Sequence, residues 1–194
     1  MNKTFNSYLS YEAALAGASA LAYAYFFVVA ANPLMYSFFL LMTGLFSIKV
    51  MVGLYLRLMN GAEGFALLGL IFGVAGSMGM AIHGGYDLAN AINTPAGMNA
   101  DLPSQVDPRG MLAFGAMGFG VLYFSWLMSK KREYPKNLSI LGFVAGVMLV
   151  WIYLARLIVM DPTNPLLLYP VLITGFVLNP VWYLWLAKVF KETK

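Results

Sequence analysis

Residues 64–90 read GFALLGLIFGVAGSMGMAIHGGYDLAN, and one stripe through them decides the class of fold. Ala66, Gly69, Gly73, Gly76, Met80, His83, Asp87 and Asn90 follow one another in steps of three or four. That spacing places them on one face of an α-helix. The first half of the face is small and the second half is polar, with the chain's single histidine in it. The run exceeds the ~20 apolar residues that cross a ~30 Å hydrocarbon core. In a bilayer, small residues mark close helix packing. Ionisable residues there mark either a partnered structural network or a functional site.

The rest of the chain repeats the pattern of length and apolarity. Residues 11–31, 34–58, 110–129, 138–160 and 166–188 form five further apolar runs. Breaks separate them: Asn32-Pro33, Asn60-Gly61, Asp107-Pro108-Arg109-Gly110, Tyr134-Pro135, Asp161-Pro162 and Asn164-Pro165. Proline disfavours continued helix, and Asp or Asn supplies an N-cap for the next one. The first run is longer than a signal-peptide core of roughly 7–15 residues, so it reads as a retained span. Of the 194 residues 61% are hydrophobic and 10% charged, against about 25% charged in a soluble domain. Mean hydropathy is +0.74. The expected fold is all-α, one six-helix transmembrane bundle over residues 1–194, with the lipid bilayer as its solvent.

Basic residues orient the bundle. With the N-terminus inside, the inner segments hold Lys3, Arg57, Lys130, Lys131, Arg132, Lys136, Lys188, Lys191 and Lys194. The outer segments hold Arg109 and, near a span end, Arg156, together with Asp101, Asp107 and Asp161. This bias places both termini in the cytoplasm (N-in, C-in). The net charge of +4 is thereby explained by topology and points to no nucleic-acid partner. Residues 91–109 form the one long outer loop, either a proline-rich connector or a segment that covers a site.

Chemistry-bearing residues gather in the outer half. His83 and Asp87 lie one helical turn apart, so the carboxylate can accept from the imidazole. Tyr86 and Asn90 accompany them. Tyr153 and Arg156 arrive at similar depth from the fifth span, and Asp107 and Arg109 open the fourth. The spacing predicts Arg156 in reach of Asp87 or Asp107, with His83 facing the same space. Two roles fit: a network that pins helix ends together, because a lone charge there costs several kcal/mol, or a pocket for a ligand or proton. The candidate ligand-binding set is His83, Asp87, Asn90, Arg109 and Arg156.

Other chemistry is excluded or weakly signalled. There is no cysteine, hence no disulfide or thiolate metal site. One histidine cannot build a zinc site and gives no axial pair for haem. No metal is predicted and no cofactor is specified. Walker A, GxSxG and HExxH motifs are absent, and no catalytic residue is assigned. Lys49, near the middle of the second span, is expected to snorkel inward or to hydrogen-bond Asn179. Asn179-Pro180 predicts a kink in the sixth span. Trp182, Tyr183 and Trp185 read as an interfacial aromatic belt, and Arg57 and Glu63 as ordinary loop charges.

Four strings carry a resemblance: His83-Gly-Gly-Tyr-Asp-Leu-Ala-Asn-Ala-Ile-Asn, Asp107-Pro-Arg-Gly, Tyr153-Leu-Ala-Arg-Leu, and Asn179-Pro followed by Trp182 and Trp185. Over the last four spans the chain resembles a bacterial family of six-helix integral membrane proteins. The resemblance implies the fold and a bacterial cell membrane; it implies no activity and transfers no functional residue. The expected function is to bind, sense or transport a small molecule or lipid through the outer-half pocket. The alternatives are an accessory subunit of a larger membrane complex or homo-oligomer, and an intramembrane enzyme using His83 and Asp87 as an acid–base pair.

Overall fold

The computed structural model describes residues 3–93, 111–159 and 161–192. Within them the chain forms six helices and no strand. α1 is Lys3–Val28, α2 Pro33–Leu58 and α3 Glu63–Ile92. α4 opens with a π-helical turn, Met111–Ala116, and continues as Met117–Ser129. α5 is Lys136–Val159. α6 has three parts: Pro165–Ile173, a π-helical turn Thr174–Leu178, and Asn179–Glu192. Asp101, Asp107, Arg109 and all but the start of the expected outer loop lie outside the described residues.

Local sequence explains the boundaries. Asn32 and Asn164 each cap a helix whose first residue is proline, accepting from the amides of Met35 (3.1 Å) and Leu166 (3.0 Å). Gly61, at φ +77°, turns the chain between α2 and α3, and its amide donates to Glu63 Oε1 at 3.1 Å. Before α6, Asp161 accepts from the hydroxyl and amide of Thr163 at 2.7 and 2.9 Å. Those two bonds hold its carboxyl below the usual carboxylate range.

Successive helices pack antiparallel, so both ends of the described chain fall at one end of the bundle, the termini end. The opposite end is distal. α2 to α6 are each long and apolar enough to cross a membrane. α1 is 26 residues long but includes Asn6, Glu12 and Ser19, and it is not among them. The surface is apolar: Ile158 is 79% exposed and Ile92 62%. The interior is apolar as well, with leucines, methionines and aromatic rings packed beside a few polar side chains such as Ser47, Ser77, His83 and Asp87, so an apolar exterior distinguishes the bundle from a water-soluble one.

α3 is the central plank. Gly69 lies against the Phe124 ring and Gly73 against Met51, while Gly76 and Gly79 lie against the backbone where α4 begins. On the other side Gly84 meets the Leu41 backbone, and Gly44 of α2 meets Ala81. The small half of the stripe thus faces α2 and α4, and a side chain at Gly76 or Gly84 would push a neighbouring backbone away.

Three sequence readings change at the termini half. Trp182 and Tyr183 are not a belt; they are 1% and 2% exposed and sit in the core. Gly142 and Ser125, on two other helices, make room for the indole. Lys49 does not bond Asn179. Its ammonium sits 2.9 and 3.0 Å from the two carboxylate oxygens of Glu12 in α1 and above the Phe46 ring. Lone opposite charges at matching depth pair because neither is stable alone in an apolar medium. Arg57 is not a loose loop charge either: it lies over the Phe190 and Tyr134 rings and reaches Asn6.

Candidate functional site: a cavity shared by all six helices

The site originates in α6. Pro170 has no amide to offer Leu166, and the indole of Trp151 donates to that carbonyl instead, at 2.9 Å. This ties the first part of α6 to α5, where Leu167 packs against Ile152 and Ala155. Pro180 likewise leaves the Phe176 carbonyl without its i+4 donor. The chain responds with a π-turn, in which the Asn179 amide bonds back to Thr174. Past that turn α6 changes partner. Ser10 donates to the Ala187 carbonyl at 2.7 Å, Gly17 lies against Pro180 and Leu184, and Gly175 faces Ala24. Beyond Gly175 the first part of α6 has no comparable packing on α1. The two helices therefore form a wedge, closed at the termini end and open at the distal end.

A cavity of about 170 Å³ fills the wedge and reaches every helix of the bundle. By that measure it has room for roughly ten waters. Most of its wall is apolar: Ala20, Ala24 and Phe27 from α1, Phe114 and Met117 from α4, and Leu168, Val171 and Leu172 from α6. The polar side chains in the wall are Tyr23, Thr43, His83, Arg156, Thr174, Asn179 and Tyr183.

Helix register brings four of these to one level. The contacts of Gly44 with Ala81 and of Gly84 with Leu41 set Thr43 level with His83. Gly79 abuts Leu112 and Ala113, and Gly115 abuts Tyr153. Arg156, one turn past Tyr153, therefore comes within about a turn of His83. Its guanidinium stands 5.6 Å from the Phe114 ring centre. Gly17 against Pro180 and Gly175 against Ala24 put Asn179 level with Ala20, which shares the wall. Thr174 lies one step distal to this collar and Tyr183 one step deeper. Both are 2% exposed, and their hydroxyls have no hydrogen-bond partner among the described residues.

His83 Nε2 lies 3.1 Å from Asp87 Oδ2, and both residues are buried. Asp87 lies beside the imidazole, one turn along α3, and is not among the residues of the wall. Asn90 is half-buried one turn further along α3, also outside the wall. Of the sequence-predicted set, His83 and Arg156 share the cavity, Asp87 supports His83, Asn90 lies distal, and Arg109 is outside the described residues.

Sequence reasoning missed Thr43, Thr174 and Tyr183 as site residues and read Asn179 as the partner of Lys49. The available signal was the pair of prolines in one span, which marks where backbone and side chains are diverted from regular packing. No metal-ligating cluster of three or more acidic or imidazole groups occurs among the described residues. No family model, curated protein or solved structure matches the chain.

Proposed function

We propose that this chain is a six-span protein of the bacterial cell membrane, with both termini cytoplasmic, that binds a small apolar or amphiphilic molecule in the α1/α6 cavity. The observation that carries the reading is the composition of the cavity wall. An apolar chamber with a few convergent polar groups is the usual form of a small-molecule site. One of those groups, Thr174, is a buried hydroxyl with no hydrogen-bond partner among the described residues, and buried polar groups are as a rule satisfied. Five helices apolar enough to cross a membrane, and an apolar exterior, support the bilayer as its location.

Native mass spectrometry after gentle extraction tests the binding. The wild type should retain a small molecule, and Ala24→Phe, which fills the wall, should lose it without losing helical structure. A wild type that retains nothing, with Ala24→Phe merely more stable, would make the cavity a packing defect. Because the chain has no cysteine, single-cysteine labelling tests the topology. Thr163→Cys should react from outside and Lys131→Cys only from inside.

A second reading, a subunit of a larger membrane assembly, is favoured by Lys49. Its side chain is 41% exposed on the outer face of α1 and α2 at membrane depth, although paired with Glu12. Cross-linking in native membranes from position 52, on the same helix, should then capture a stoichiometric partner.

A further inference from the structure

We infer that the π-turn of α6 takes the hydroxyl of a neutral, lipid-soluble alcohol, held between the Thr174 hydroxyl and the Asn179 carboxamide. This assignment rests on the binding role proposed above and names its ligand. Three observations converge on it.

The first is which polar groups of the wall the protein itself leaves unanswered. Thr43 donates to the Phe39 carbonyl at 2.8 Å. The Arg156 guanidinium lies over the Phe114 ring, and Tyr23, His83 and Arg156 each engage further groups of the protein. The hydroxyl of Ser47 stands beside that of Tyr183. Thr174 differs: it is 2% exposed, and its hydroxyl has no hydrogen-bond partner among the described residues. A helical hydroxyl commonly bonds back to the carbonyl one turn earlier, as Thr43 does and as Ser77 does with Gly73 at 2.7 Å. Thr174 makes no such bond. Ser37, Ser125 and Ser139 also lack a partner among the described residues, but none of them belongs to the cavity wall.

The second is the geometry of the turn. At about 3.6 residues per turn, positions 174 and 179 of a regular α-helix would point roughly 140° apart. Here the Asn179 amide bonds to the Thr174 carbonyl, five residues back, so the two residues stand one above the other as i and i+4 do in an α-helix. Both line the cavity. The π-turn thus presents a hydroxyl and a carboxamide together, and the two side chains do not bond each other.

The third is the chemistry of that pair. Asn179 offers an acceptor at Oδ1 and donors at Nδ2, and the Thr174 hydroxyl both donates and accepts. A ligand hydroxyl donates to one and accepts from the other, so all three groups are satisfied at once. An ether or ketone only accepts and leaves one protein acceptor bare, and an anion would set a full charge against Oδ1. The rest of the ligand is apolar, because the rest of the wall is. α1 and α6 separate beyond Ala24 and Gly175, where Val28 and Leu168 line the opening, so an alkyl tail runs from the π-turn out to lipid. Acyl tails already surround such a chain in the bilayer, and selectivity falls on the head group.

The test uses the full chain in nanodiscs of phosphatidylcholine and three probes with the same alkyl chain: hexadecanol, its methyl ether and hexadecyl sulfate. The ether loses only the donor, and the sulfate adds a fixed charge. One unmatched buried acceptor predicts roughly tenfold tighter binding of the alcohol than of the ether. The sulfate should bind more weakly than the alcohol. Thr174→Val keeps the shape without the hydroxyl and should weaken the alcohol by a similar factor, whereas Thr174→Ser should retain it. Photolabelling of the wild type needs no variant to fold. A diazirine beside the hydroxyl should mark residues 174–183, and one at the chain end should mark residues 165–172. Equal affinity for alcohol and ether, tighter binding of the sulfate, full affinity in Thr174→Val or reversed labelling would each overturn the alcohol assignment while leaving a cavity that binds. If none of the probes binds, the alcohol assignment falls. Retention of another molecule by native mass spectrometry would then show that the cavity reading survives it, and retention of nothing that both fall together.

Discussion

Gly84 and Gly85 are neighbours in α3 and should respond oppositely to the same substitution. An added Cβ at Gly84 would overlap the Leu41 backbone nitrogen and lie 2.7 Å from the Ser37 carbonyl oxygen and 2.9 Å from Leu41 Cα. All three atoms are backbone, so no rotamer change relieves them, and α2 must move off α3 by about an ångström. Overpacking of this kind costs ~1–3 kcal/mol, against which alanine gains ~1 kcal/mol of helix propensity over glycine. Gly84→Ala should therefore destabilise by up to ~2 kcal/mol. At Gly85 an added Cβ meets nothing within 4 Å, so Gly85→Ala should be neutral or stabilise by up to ~1 kcal/mol. The gap of ~1–3 kcal/mol corresponds to roughly 2–12 °C in Tm for a chain of this size. Thermal unfolding of both variants in nanodiscs measures it. Equal Tm values, or a more stable Gly84→Ala, would refute the claim that backbone contact between α2 and α3 holds His83 in place.

Two further perturbations probe the termini half. Lys49→Met leaves the Glu12 carboxylate, 9% exposed, without its cation, and should cost about 3 kcal/mol. The double change Glu12→Gln/Lys49→Met should recover most of that, and a double variant no more stable than the single one would show that the pair is not the cause. Tyr134, in the connector before α5, is 3% exposed, and burial raises its phenol above the ordinary value of 10.0 even with Arg57 near its ring. Because the folded value is the raised one, this contribution to stability is complete below about pH 10 and is lost as pH rises beyond it. Phenolate absorbance of the native wild type and of Tyr134→Phe should therefore superimpose at about pH 10, and an extra tyrosine titrating there in the wild type would contradict the burial.

Helix positions were legible because length and apolar period are local properties. The run read as 34–58 is Pro33–Leu58 in the structure, and 64–90 is Glu63–Ile92. α1 starts eight residues before its apolar run, at Lys3 rather than at position 11, because tertiary packing of Asn6 and Leu9 extends a helix that hydropathy alone does not. The site was half legible. His83 and Asp87 share a helix, so spacing alone set their contact. That His83 and Arg156 line one wall depends on two helix interfaces, α3 with α4 and α4 with α5, each set by a glycine contact that one helix's sequence does not disclose. Aromatic residues near a span end read as a belt by base composition. Trp182 escapes that reading because Gly142 and Ser125, distant in sequence, leave a hollow for it. Glu12 and Lys49 carried a signal that went unused: each is the lone mid-span charge of its helix, the signs are opposite, and the spans are adjacent.

The cavity exists at a cost, and the cost locates its cause. A space of about 170 Å³ between α1 and α6 gives up the protein–protein packing that a closed interface would make there. Pro170 and Pro180 add the loss of two helical hydrogen bonds, one of them replaced by Trp151 and the other redistributed by the π-turn. A sequence selected for stability alone would straighten α6 and close it onto α1 as tightly as Gly17 already closes onto Pro180. Pro180→Ala restores the amide that the Phe176 carbonyl lacks and removes the reason for the π-turn. The expected result is a higher Tm together with loss of the retained molecule, since straightening rotates Thr174 and Asn179 out of the collar. Stability gained while binding is lost is the signature of a site that holds a fold away from its optimum. An unchanged Tm with binding intact would mean that the wedge is set by the packing of Leu167 on α5, and not by the proline.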